Sequence, residues 1–330
     1  MLPRKRVFLA VFLISSVLLS ACSGFSKADP YAQKPLKIAW NAWPGDYPII
    51  LAEELGLYEK YGAEVETIYS EDYSQQLAQL LSGEIDSFNA TISDVLLMAN
   101  TDDLQIVLVS DYPQGANVII GDASIQTPRD LKGKRLGVDA SVIQSQLLVA
   151  EMLKAYGLSI DDVRLVSIIP EEVPEALGET IDAGFTWGQF VTEAIKKGNK
   201  VVYSDAEAPG LLTDVLIFRR TTVEERPEDI QAVVAAWIEA AGFLNANPDQ
   251  AVEMIARHSG LSQDEVSLEG VKVYTLRDNL SAFQFGDDFS SLYFTINVNQ
   301  NFLRDQGYIS KFVPLERLIQ TSFLTALSSQ

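Results

Sequence analysis

The sequence predicts an α/β fold, and three observations carry that reading. Short apolar runs alternate with helical patterns through the first 200 residues, the signature of largely parallel sheets flanked by helices. From Pro227 onward the pattern turns mostly helical. Roughly 300 residues remain behind an N-terminal leader, and that length divides more naturally into two lobes than into one core.

Taken in order, the first element is the leader. Arg4, Lys5 and Arg6 precede an apolar run from Val7 to Leu19. That run falls short of the about 20 residues a membrane-spanning helix needs and reads as a signal-peptide core. Leu19-Ser20-Ala21-Cys22 has the form of a lipobox. Its small residues give a peptidase access, and the thiol is the site of diacylglyceryl attachment. Residues 1–21 are therefore expected to be removed, with Cys22 lipidated at the outer face of a membrane. The small, polar segment 22–34 suits a flexible tether. Cys22 is the only cysteine, so no internal disulfide is available and stability must come from burial.

Leu36 to Trp40 is a first strand. Tyr47 to Lys60 reads as a helix, with Gly62 where a C-cap glycine belongs. Val65, Thr67 and Tyr69 alternate as a second strand, and Leu77, Leu80 and Leu81 give the i, i+3, i+4 face of the next helix. A strand at 85–88, a helix at 93–99 and a strand at 104–109 follow. Next come a strand at 117–121, a surface turn at 128–134, a strand at 135–138 and a helix from about 142 to 156. Strands at 164–168 and 182–186, a helix from 187 to 197, and strands at 200–203 and 215–218 complete the alternating part. Beyond Pro227, Ile230, Val233, Val234, Trp237, Ile238, Ala241 and Leu244 form one apolar stripe. Segments 248–258, 262–268 and 289–305 look like further amphipathic helices. No internal repeat is visible.

The chain carries a formal charge of −20. Residues 1–21 hold three positive charges and no acid, so the remainder stands at −23. That argues against nucleic acid as a partner and against docking on anionic lipid by charge. It fits a body held away from the membrane by acyl chains.

Four segments carry a resemblance. Ile38-Ala39-Trp40-Asn41-Ala42-Trp43-Pro44-Gly45 and the helix Ala52-Glu53-Glu54-Leu55-Gly56-Leu57-Tyr58-Glu59-Lys60-Tyr61-Gly62 resemble the opening of nitrate/sulfonate/taurine-type (NMT1-like) solute-binding proteins. Asp130-Leu131-Lys132-Gly133-Lys134-Arg135-Leu136-Gly137-Val138 is similar to that family's entry to its second lobe. Gly178-Glu179-Thr180-Ile181-Asp182-Ala183-Gly184-Phe185-Thr186-Trp187 is similar to a later segment of it. In the family's order they cover about 36 to 220. The resemblance implies a periplasmic-binding-protein-like (type II) fold: two α/β lobes, a cleft, a double crossover hinge and a helical C-terminal region. The crossings fall near 111–116 and 205–214. Lobe I would comprise 35–113 and 215–330, and lobe II 114–214. It further implies a monomer that closes on a small molecule and is met by an ABC permease with its ATPase, with no cofactor.

In open α/β sheets ligands sit outside the carboxyl ends of strands, which nominates the residues following each strand. Around the first strand these are Trp40, Asn41, Trp43 and Asp46. After 85–88 come Thr91, Ser93 and Asp94, and after 104–109 come Ser110, Asp111 and Gln114. In the second lobe they are Ser141, Gln144, Thr186 and Trp187, and Asp214 stands at the return crossing. Trp40, Trp43 and Trp187 offer flat walls for stacking or cation–π contact, although Trp40 and Trp187 have an equally good reading as core anchors. Ser93 and Ser141 read as helix N-caps whatever else they do. Asp94 reads as a first-turn acid, as do Glu71 and Asp72, which are left out of the site. Asp46, Asp111 and Asp214 fall together on cleft loops that hold no lysine or arginine. A sulfonate would call for a cationic partner or several donors, so the three acids point to an amine-like or aminopyrimidine-like ligand. The competing reading is solvated acids in an acidic chain, which leaves a small polar sulfonate-like or taurine-like solute open beside the amine-like one.

Two other functions are weighed. A fungal pyrimidine synthase branch shares the implied fold and relies on histidine and cysteine. Here the only histidine is His258 and the only cysteine is Cys22, so no Ser/His/Asp triad, Cys/His pair or histidine-rich metal site can be assembled. A ligand-binding partner of a sensor is the other alternative; the sequence up to Gln330 offers no signalling domain, so sensing would need a second protein.

Overall fold

Every strand expected from an apolar run forms, and the strands sort into two sheets. The computed structural model describes residues 34–329 apart from 71, 101–102, 140–141 and 264–265. The leader, Cys22, nearly all of the expected tether and Ser141 lie outside the described residues.

The chain begins β1 (Leu36–Trp40), α1 (Tyr47–Glu54), α2 (Leu57–Tyr61), β2 (Val65–Tyr69), α3 (Tyr73–Ser82), β3 (Ser87–Thr91), α4 (Ile92–Met98) and β4 (Leu104–Pro113). It continues with β5 (Asn117–Gly121), β6 (Arg135–Val138), α5 (Ile143–Ala155), β7 (Arg164–Ser167), α6 (Val173–Ala176), β8 (Ala183–Trp187), α7 (Gly188–Lys196) and β9 (Lys200–Ser204). Then follow β10 (Asp214–Arg219), α8 (Arg220–Glu225), α9 (Pro227–Ala246), α10 (Pro248–Ser259) and β11 (Val271–Val273). The last elements are α11 (Leu276–Ala282), α12 (Leu292–Asp305), α13 (Leu315–Leu318) and α14 (Ser322–Ser328).

One sheet has the order β11-β4-β10-β3-β1-β2 and the other β7-β6-β8-β5-β9. The chain passes from the first sheet to the second at 114–116 and returns at 205–213. β1 is parallel to β2 and β3, and β6 to β7 and β8. β5 and β10, the first strands after each passage, run antiparallel to both neighbours. The sheets are therefore mixed rather than largely parallel, because a chain that returns enters from the opposite side. Buried Asp205 ties the passages together: it accepts from the Gly115 N–H, from the Asn117 N–H at 2.8 Å and from Asn117 Nδ2 at 2.9 Å.

Strands β3 and β5 are buried at every position; β5 is mostly apolar, as a strand covered on both faces should be, whereas β3 buries the polar Ser87, Asn89 and Thr91. One large core gathers β1, β3, β4 and β10 with α1, α4 and α9, and a second forms between β6, β8 and α5. Phe302 of α12 packs against both cores.

Local chemistry explains where the elements depart from expectation. The single helix expected over 47–60 is two, because Gly56 takes φ +66° between α1 and α2, a left-handed conformation that suits glycine. On α3, Leu81 is exposed and Gln76 is buried beside Leu80, so the buried face is rotated from the leucine pattern. No helix forms among the described residues of 262–268.

Candidate functional site

The lower strand ends of the first sheet converge. β1 and β3 end, and antiparallel β10 begins, at one edge, where Asp214 stands in register with Thr91 on one side and with Asp111 of β4 on the other. Residues following β1 make a short 3-10 turn, Pro44–Asp46. Its geometry is set by two side chains. Asn41 Oδ1 accepts the Trp43 N–H at 2.8 Å, and Asp46 Oδ2 accepts the Asn41 N–H at 2.8 Å. Asn89 of β3 reaches across from below, donating through Nδ2 to Asp46 Oδ1 at 2.8 Å and to the Gly45 carbonyl at 3.1 Å.

Asp111 is wholly buried. Its Oδ1 accepts from Trp43 Nε1 at 3.0 Å and its Oδ2 from Ser110 Oγ at 3.1 Å. The carboxylate lies directly on Gly45: a Cβ at that position would stand 1.7 Å from Asp111 Oδ2. Only glycine permits this approach. On the far side of β10, Thr91 hydrogen-bonds Asp214 through its side chain and donates its backbone N–H to the Tyr73 hydroxyl at 3.1 Å. Tyr73 in turn donates to Asp94 Oδ2 at 3.0 Å.

Four carboxylates thus sit in one neighbourhood, and no lysine, arginine or histidine among the described residues figures in the electrostatics of any of them. Burial is the dominant influence on each, since desolvation disfavours the charged form. It pushes Asp46 up to about 8 against the donors Asn89 and Asn41, with Asp111 adding repulsion. It pushes Asp111 up to about 7 and Asp94 up to about 6. Asp214 is raised well above the carboxylate range by burial and then by the charges of Asp111, Asp46 and Asp94. Its Oδ1 and the Ser93 hydroxyl are both buried without a hydrogen-bond partner among the described residues.

The second sheet approaches this edge through α5. Ile143, at the start of α5, is buried in the first core, and α4 packs against α5. Gln144 is half-buried beside it, and Ser141 lies outside the described residues. Trp187 is half-buried at the start of α7, its ring edge-on to Phe185 at 5.5 Å. Thr186 is buried and donates its hydroxyl to the Pro170 carbonyl at 2.8 Å, so its polar group is engaged within the lobe. Gln114 is exposed in the first passage, with its N–H on the Gly270 carbonyl and its amide on the Tyr112 hydroxyl.

Of the nominated residues, then, Asn41, Trp43, Asp46, Thr91, Ser93, Asp111 and Asp214 are brought together. Trp40 goes to packing: it is 1% exposed and its ring meets Tyr69 at 4.8 Å and His258 at 6.3 Å. Ser93 is not the N-cap of α4; Thr91 occupies that position. Asp72 does cap α3, accepting from the Gln75 N–H. Asp94 is more than a first-turn acid, because Tyr73 ties it to Thr91. Tyr73, Asn89 and Gly45 had no signal in strand-end position alone. Tyr274, buried with its N–H on the Ser110 carbonyl, follows a three-residue strand too short to read. The lone histidine pairs with Glu54 (Nδ1 to Oε1, 2.8 Å), and that carboxylate also takes Arg257. No group of three or more metal-ligating side chains occurs among the described residues, and none of their helices is long and apolar enough to cross a membrane.

The NMT1/THI5-like family model matches residues 43–251. A putative binding protein of Brucella abortus is 28% identical over 278 residues, covering 81% of this chain and 82% of that protein. A putative thiamine biosynthesis protein of Haemophilus influenzae is 25% identical over 224 residues, covering 66% and 70%. Among solved structures, the periplasmic aliphatic sulphonate binding protein of Escherichia coli superposes with a TM-score of 0.71 at 19% identity, covering 88% of this chain and 93% of that one. The fold is that of the periplasmic binding proteins.

Proposed function

The chain belongs to the NMT1/THI5-like family, and from that premise we propose that it is the extracytoplasmic solute-binding lipoprotein of an ABC importer. It is anchored through Cys22 and captures a small organic solute between lobes 35–113 plus 215–330 and 114–214. The segregation of strands into two sheets joined at 114–116 and 205–213 supports that division. The protein binds rather than transforms its solute: His258, its one histidine, is held by Glu54 on α1 rather than beside the carboxylates.

The ligand is amine-like or aminopyrimidine-like. The observation that carries this reading is the set of four carboxylates, Asp46, Asp94, Asp111 and Asp214, desolvated together with no cationic side chain of their own. A sulfonate would meet repulsion there, and a cationic or donor-rich group would supply what the cluster lacks. The name of the Haemophilus relative agrees with a pyrimidine-related solute, while the sulphonate binder shares the fold alone.

Thermal shift followed by calorimetry tests this on protein starting at Lys34, with benzylamine, 4-aminopyrimidine, taurine and ethanesulfonate. Binding to the folded state alone raises the melting point by mass action. Stabilisation by benzylamine or 4-aminopyrimidine but not by ethanesulfonate is expected. Stabilisation by ethanesulfonate alone would sink the ligand assignment and leave the solute-binding role standing.

A further inference from the structure

We propose that Asp214 is the residue that selects the ligand: its Oδ1 receives the N–H of a protonated amine. This rests on the reading of the cluster as the site for an amine-like solute and names the atom responsible.

The four carboxylates are not equivalent. Both oxygens of Asp46 already accept, from Asn89 Nδ2 and from the Asn41 N–H. Both oxygens of Asp111 accept, from Trp43 Nε1 and Ser110 Oγ, and Gly45 closes over one of them. Asp46 and Asp111 are also 2% and 0% exposed. Asp94 is held by the Tyr73 hydroxyl. Of the four carboxylates, Asp214 is the one with a buried oxygen, Oδ1, that lacks a hydrogen-bond partner among the described residues, on a side chain that is otherwise half-buried. An orphaned buried acceptor is rare and costly in a folded protein.

A second orphan lies on the adjoining turn. The Ser93 hydroxyl is buried without a partner, and the turn that carries it is pinned next to Asp214 by the Ile92 N–H on the Thr213 carbonyl at 3.0 Å. Two unpartnered polar atoms on backbone segments joined at Ile92 and Thr213 match a nitrogen with more than one hydrogen to donate.

The groups facing Asp214 are Thr91 from β3, Asp111 from β4, Asp46 from the turn after β1, Asp94 from α4 and Tyr73 from α3. None is cationic. Burial and three neighbouring acids keep the Asp214 carboxyl protonated well above the usual range. A protonated amine brings the positive charge that lets the proton go, so charge is conserved: one proton released for each cation taken up.

The test uses benzylamine, which stays protonated from pH 5 to 8. Calorimetry in two buffers of different ionisation enthalpy should show about one proton released per amine bound near neutral pH. Affinity should rise with pH across that range. Asp214→Asn should lose about 30-fold or more in affinity and its pH dependence, while its ligand-free melting point at pH 8 holds or rises. Asp214→Glu should recover part of the affinity. Amine binding by the wild type with no proton released overturns the proposal, and so does Asp214→Asn binding within about threefold of wild type with the same pH slope. Either result leaves the amine reading intact. If instead the wild type binds ethanesulfonate and not benzylamine, the parent reading fails and this one with it.

Discussion

The acids of the second sheet and those at the edge of the first are the same residue type in the same acidic chain, yet their surroundings treat them in opposite ways. Asp182, immediately before β8 of the second sheet, takes Arg135 Nη2 at 2.8 Å and the Arg135 backbone N–H at 2.7 Å. Asp162 takes Lys132 and the Ser159 N–H, and Asp130 takes the N–H groups of Gln126 and Thr127. All three are held below the usual carboxylate range, chiefly by those donors. Asp46, Asp111 and Asp214 are displaced upward by burial, and Asp46 and Asp214 further by neighbouring acids. The difference teaches that net charge identifies nothing here. What marks a site is charge placed where the protein itself does not neutralise it, a departure from local consistency that functional sites tolerate.

The strongest test of that contrast is steric. If the Asp111 carboxylate is seated on Gly45 as described, Gly45→Ala drives a methyl group into it. We expect a loss of about 3 kcal/mol in chemical denaturation, at the upper end of ordinary overpacking. Asp111→Ala in the same chain should give most of it back, a coupling that a double-mutant cycle reads directly. Wild-type stability for Gly45→Ala alone would show that the turn yields and that the cluster is looser than drawn.

A smaller effect separates the two groups of acids by pH. Asp46 and Asp111 have folded values near 8 and 7, above the ordinary 3.8 of an unfolded chain. Their contribution is fully present below that ordinary value and is lost as pH rises through 7 to 8. The second-sheet acids, displaced downward, contribute above their ordinary value and lose it only as pH falls through their folded values. The ligand-free protein should therefore melt higher at pH 5 than at pH 8. Asp111→Asn should flatten the upper part of that slope and add about 2 kcal/mol at pH 8. The amide fits: its oxygen can accept from Trp43 and its nitrogen can donate to Ser110, whose hydroxyl rotates. Asp46→Asn is a poorer probe, because both oxygens there face donors. A profile that rises toward pH 8 would place the buried acids in water and undo the comparison.

The sequence made most strands readable because an apolar run or an alternation stood out, and β1 and β5 fall where their runs do. What it hid depended on tertiary pairing. β11 is three residues whose partner is β4, and its recognition needed the sheet already built. The break at Gly56 lay inside an apolar run that favours one long helix. In the site, the rule that ligands sit at carboxyl ends of strands found Asp46 and, as the residue expected beyond 104–109, Asp111, which β4 in fact includes; Asp214 was found by its place at the return crossing. That rule could not separate Trp43, which reaches Asp111, from Trp40, which reaches Tyr69 and His258. Nor could it see Asn89 and Tyr73, whose roles come from a strand interior and a helix start that only meet in the fold.

The least effect is expected where the contrast says nothing functional resides. Arg135→Met removes the ion pair to Asp182, whose partners' side chains are 37% and 16% exposed. Solvent and salt screen such pairs, so the loss should be no more than about 1 kcal/mol and should shrink at high ionic strength. Because the Asp182 shift lies below its ordinary value, the variant should leave the slope between pH 5 and 8 untouched and change behaviour only in acid. It should also bind benzylamine as the wild type does. A large loss of stability, or any change in that slope, would mean that the charge systems of the two sheets communicate. The carboxylates beneath Trp43 could then no longer be treated as a site set apart from the rest of the acidic surface.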